Sequence, residues 1–114
     1  MQKILVIFIL LFSSSILAEV KKVDLQKSLQ AGLYNRMSYD CGWSTYSQYS
    51  KVTKNFYRFA KKKYRYKSDY NQMIDTFDHG QKREIPNNIC KQANDNVISS
   101  RIRFVKRGLE GKFW

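Results

Sequence analysis

The chain has 114 residues, with 21 lysines and arginines against nine aspartates and glutamates, one histidine and two cysteines. That length suits one domain, and a net charge of +12 directs attention to acidic proteins or polyanions as partners. One proline and five glycines are too few for an all-β sandwich, which needs a turn about every 8–12 residues.

The N-terminus reads as a secretory signal: a basic "MQK", the apolar run Ile4–Phe12, then "SSSILA". Cleavage is expected after Ala18, giving a signal peptide over 1–18 and one helical domain over 19–114. The apolar run stops well short of the roughly 20 residues a spanning helix requires, so retention as an anchor is the lesser alternative. The protein is therefore expected in the periplasm or outside the cell. Loss of Lys3 leaves 20 cations against nine acids, a net +11.

Cys41 and Cys90 are expected to pair, because an exported chain of this size gains from a staple. The closed loop of about 50 residues corresponds to roughly 4 kcal/mol of chain-entropy stabilisation. No CxxC or neighbouring histidine accompanies either cysteine, so no metal is assigned to them.

Helical periodicity dominates the rest. In "DLQKSLQAGLYNRM", Leu25, Leu29, Leu33 and Met37 recur every four residues behind Asp24 as N-cap. A second helix is expected from Thr45 to Lys62, capped by Ser44. At 100° per residue it gathers Tyr49, Val52, Thr53, Phe56, Phe59 and Ala60 on one side, and Lys51, Lys54, Arg58, Lys61, Lys62 and Arg65 on the other. Lys63 breaks the apolar face, so the helix should end near it.

A third helix follows in "SDYNQMIDTFDHG", with Ser68 as cap, Tyr70, Met73, Ile74 and Phe77 as its apolar row, and Gly80 as the stop. A fourth begins at Pro86–Asn88, carries Ile89, Cys90, Ala93, Val97 and Phe104, and stops at Gly108. Residues 101–106 also alternate like a strand, but helix is the preferred reading. The expected fold is all-α: a small four-helix domain stapled by one disulfide.

Candidate chemistry is sparse. Asp75 and His79 stand four apart on a helix, yet two ligands do not make a metal site, and no cofactor is expected. No pair of carboxylates or nucleophile–base arrangement is singled out, so an enzyme is not expected; a small secreted hydrolase ranks third. The stronger feature is the basic stripe, with Arg101, Arg103 and Arg107 added from "RIRFVKR". Single-stranded nucleic-acid binders set stacking aromatics beside their cations, and here only Tyr57, Tyr64 and Tyr66 fall near the lysines. Phe113 and Trp114 are expected to dock onto the domain.

Small exported helical proteins with one disulfide across about fifty residues are similar in cysteine spacing; they include periplasmic acid-stress chaperones and immunity proteins. The spacing alone carries that resemblance, and no functional residue is transferred. The expected function is an exported, non-enzymatic binding protein, inhibitor- or immunity-like, that engages an acidic protein partner through Lys51, Lys54, Arg58, Lys61, Lys62, Arg65, Arg101, Arg103 and Arg107. The alternative is a cationic effector that binds nucleic acid or an anionic envelope polymer.

Overall fold

The computed structural model describes residues 20–114; the expected signal peptide lies outside them. Five helices follow one another: α1 Lys22–Asp40, α2 Tyr46–Lys63, α3 Lys67–Gln81, α4 Asn87–Gln92 and α5 Asp95–Leu109. Among the described residues there is no strand, so the all-α reading holds and Arg101–Lys106 are helical. No described helix is long and apolar enough to cross a membrane.

The expected fourth helix is two helices. Ala93 is extended, and the Asn94 side chain accepts a hydrogen bond from the Val97 amide at 2.9 Å, which starts α5 afresh. Asparagine at this position satisfies an orphan donor better than it continues a helix. Ile89, placed on the buried face by periodicity, is 41% exposed on the short α4.

Cys41 and Cys90 form the expected disulfide, with a Cα–Cα distance of 5.4 Å. It ties the end of α1 to α4. Gly42, at φ 77°, turns the chain out of α1 beside the bridge. The Gly42 and Trp43 amides there donate to the carbonyls of Tyr39 and Ser38, the paired bonds of a Schellman stop.

The interior departs from the expected leucine row. The buried residues of α1 are Asp24, Ser28, Ala31, Gly32, Asn35 and Ser38, whereas Leu25, Leu29, Leu33 and Met37 are half-buried. Close approach explains this. A Cβ built on Gly32 would overlap the Phe77 carbonyl oxygen, and one on Gly80 would lie 2.6 Å from the Leu29 carbonyl oxygen. The backbones of α1 and α3 touch, and only small or hydrogen-bonding side chains fit at that seam. Gly80 is thus an interior packing residue of α3, and Gly108 likewise lies buried within α5 against Val52.

Polar seam residues find partners, except that Asn35 Oδ1 is buried without one. Asn35 Nδ2 donates to Gln81 Oε1 at 2.6 Å, and Ser28 and Ser38 donate back to the carbonyls of Asp24 and Tyr34. Above them sits an aromatic core. Phe56 is fully buried, stacked on Phe77 with centroids 4.1 Å apart and met edge-on by Phe113 at 5.2 Å.

Three expected caps move. α1 begins two residues before Asp24, with Lys21 as N-cap. Thr45, rather than Ser44, caps α2 in a reciprocal capping box with Gln48. Tyr66 precedes α3 without a side-chain cap, so Ser68 is already helical.

Candidate functional site

Strong amphipathicity sets up the site on α2. Val52, Phe56 and Ala60 are fully buried on one side, and Lys51, Lys54, Arg58, Lys61 and Lys62 are exposed on the other. Arg65, just beyond the helix, is exposed as well. The lysines of the last turn lie at the negative end of the helix dipole, which favours them there. The side-chain ion pairs among the described residues are Arg36–Asp40, Lys63–Asp24 and Lys112–Glu110. None uses a cation of this face.

One edge of the face forms the wall of a groove of about 390 Å³, lined by Lys51, Asn55, Arg58, Phe59 and Lys62 of α2, by Leu109 at the end of α5, and by Glu110 and Gly111 beyond it. Asn55 fixes the two walls together, because its Nδ2 donates to the carbonyls of Gly108 and Leu109 at 3.0 and 3.1 Å. Gly111, at φ 78°, turns the chain there. The Gly111 and Lys112 amides donate to the carbonyls of Gly108 and Arg107, a second Schellman stop. Phe59 forms an apolar floor, its ring 4.9 Å from Trp114 in an edge-on contact. On the far wall Glu110 pairs with Lys112 at 3.2 Å.

The arginines of α5 divide. Arg103 and Arg107 are exposed but do not line the groove. Arg101 turns inward, its guanidinium 3.6 Å from the centre of the Tyr34 ring, and it is half-buried. Its burial sets it apart from the exposed cations: on α5 it shares the face of Phe104, Val105 and Gly108, which packs inward.

The tyrosines near the stripe also divide. Tyr57 donates to Asp78 at 2.7 Å, and its phenol is pushed well above the ordinary range by burial and by that carboxylate. Tyr64 donates to Asp24 and accepts from the Lys21 amide; burial, then the bond to Asp24, push it up too. Only Tyr66, 46% exposed, remains open for stacking.

A second basin, of about 460 Å³, is lined by Arg36, Tyr49, Asp75, Asp78, His79, Gln81 and Lys82. It does bring Asp75 and His79 to one surface. Asp78 is engaged by Tyr57 and Arg36 by Asp40. Among the described residues no group of three His, Cys, Asp or Glu is placed to hold a metal ion.

Sequence reasoning located the cations and missed the wall that makes a groove of them. The signal was present in "RGLEGK", where a glycine two residues past Leu109 marks a helix stop that the earlier Gly108 obscured. Compared with family models, with curated proteins and with solved structures, the chain matches none.

Proposed function

We propose that the protein is an exported, non-enzymatic binding protein, inhibitor- or immunity-like, that engages an acidic protein partner through the cationic face of α2. The observation that carries this reading is the set Lys51, Lys54, Arg58, Lys61 and Lys62. They are exposed on one face and make no ion pair among the described residues. Unpaired charge on a rigid helix steers a partner of opposite sign and fixes its register. The disulfide and the apolar N-terminal run support export.

The test is capture on immobilised protein from the producing cell's envelope fraction, compared with the triple variant Lys54→Glu, Arg58→Glu, Lys61→Glu. An acidic protein retained by the natural sequence, released by salt and not retained by the variant supports the reading. Nuclease-sensitive or polysaccharide material in the eluate would instead establish the cationic-effector alternative.

A further inference from the structure

We infer that the groove between α2 and the 109–111 turn is a docking site for one acidic segment of a partner protein, a segment that carries an apolar anchor side chain among its carboxylates. The inference rests on the reading of α2 as the binding face and narrows that face to one edge and one kind of occupant.

Spacing is the first support. Lys51, Arg58 and Lys62 stand at i, i+7 and i+11, which at 100° per residue lie within about 40° of one line along the helix. At 1.5 Å rise per residue the intervals along the axis are about 10 and 6 Å, so the cations form a short straight row. Lys54, Lys61 and Arg65 belong to the same face but not to the groove.

The floor is the second. Phe59 and Leu109 are half-buried beneath the cations, and Phe59 is held by its contacts with Trp114 and Phe113. A uniformly charged polymer leaves such a floor uncovered. A peptide with one large apolar residue covers it while its carboxylates meet the row, the arrangement of a central anchor within a polar rim. The volume, about 390 Å³, accommodates a few side chains.

The third is the identity of the remaining groups. Glu110 on the far wall pairs with Lys112, and as a hydrogen-bond acceptor it finds no donor on a continuous row of phosphates. A peptide places a backbone amide or a cationic side chain there. Tyr57 and Tyr64 are committed to Asp78 and Asp24, which removes most of a base-stacking platform. The occupant favoured by these contacts is a peptide.

The experiment uses a fluorescein-labelled octapeptide with six acidic residues around a central Leu-Phe, a matched peptide with Ala-Ala at the centre, and a dT8 oligonucleotide. Fluorescence anisotropy at low salt is measured with the natural protein, with Lys51→Glu/Lys62→Glu in the groove, and with Lys54→Glu/Lys61→Glu outside it. Both double variants change the net charge equally, and circular dichroism establishes that both are folded.

The groove pair should weaken the Leu-Phe peptide by about tenfold or more and the outer pair by about threefold or less, and the Ala-Ala peptide should bind more weakly than the Leu-Phe one. Equal losses from both pairs, or equal binding of the two peptides, would overturn the groove while leaving the cationic face standing. Tighter binding of dT8 than of either peptide would overturn the groove and the acidic-protein reading together. No binding of either peptide would overturn the groove alone, since capture by the α2 face is measured separately.

Discussion

The indole N–H of Trp114 donates to Asp24 Oδ1 across 3.1 Å, joining residues 90 apart in sequence. The other carboxylate oxygen of Asp24 accepts from Tyr64, and the Lys63 ammonium lies 4.0 Å away. With Asp24 only 4% exposed, one buried carboxylate ties the start of α1, the end of α2 and the C-terminal residues into a single latch. Phe113 and Trp114 can then close over Phe56 and Phe59, which also steadies the floor of the groove.

Removing the carboxylate should cost more than removing one of its donors. Asp24→Ala strands both the Trp114 N–H and the Tyr64 hydroxyl, and a buried group left without its partner costs about 1–3 kcal/mol. Trp114→Phe keeps an aromatic ring and deletes one bond, so about 1 kcal/mol is expected. Urea unfolding of the two variants measures the order; a greater loss for Trp114→Phe would show that the ring packing, and not the carboxylate, holds the latch.

The alkaline limb of stability should report Tyr57. Burial, followed by the hydrogen bond to Asp78, raises its pKa in the folded state, while the unfolded phenol titrates near 10. Its contribution is therefore fully present below about pH 10 and declines as pH rises toward the folded value. Tyr57→Phe carries no such ionisation. Its stability should fall less steeply above about pH 10 than that of the natural protein. Parallel alkaline limbs in denaturant titrations would refute the assignment.

Much of the fold was legible because α2 obeys the simplest rule: its charged and apolar residues separate on a 3.6-residue period, and Phe56 and Lys54 fall where that rule puts them. Two lone cysteines likewise left one pairing. The interior face of α1 escapes such a rule because periodicity counts hydrophobicity, whereas the seam between α1 and α3 selects for small size. Gly32, Ser28 and Asn35 carry no hydrophobic signal, yet they occupy the deepest stripe. Gly80 and Gly108 read as stops, because in sequence a glycine that permits close approach is indistinguishable from one that ends a helix. The groove depends on a wall about fifty residues away from α2, joined by the Asn55 bonds, and no local pattern encodes such a pairing.

The seam makes a sharp test of that distinction. If Gly80 merely ended α3, alanine there would be tolerated, and alanine raises helix propensity by about 1 kcal/mol over glycine. Because its Cβ would meet the Leu29 carbonyl at 2.6 Å, backbone must move instead. Gly80→Ala and Gly32→Ala should each destabilise by about 2–3 kcal/mol or more, the upper end of the range for overpacking. Gly111→Ala, where a Cβ meets nothing within 4 Å but φ is 78°, should lose less, about 1 kcal/mol from the left-handed backbone. Thermal unfolding of the three variants provides the ranking, and a stabilised Gly80→Ala protein would contradict the seam.

The two faces of α2 should separate stability from binding. Phe56 is fully buried and stacked on Phe77, so Phe56→Ala should cost about 3–5 kcal/mol, the usual loss for a buried phenylalanine. Lys54, Arg58 and Lys61 are exposed on the opposite side, where isolated surface charges add little to folding. Reversing all three to glutamate should leave the melting temperature nearly unchanged, and relief of crowding among neighbouring cations offsets what the helix dipole loses at the last turn. The same variant should lose partner capture and the salt dependence of that capture, because encounter and register follow complementary charge. Calorimetry and binding on one set of samples decide the matter. A reversed protein that keeps both its stability and its partner would make the cations of α2 a solvated face and nothing more.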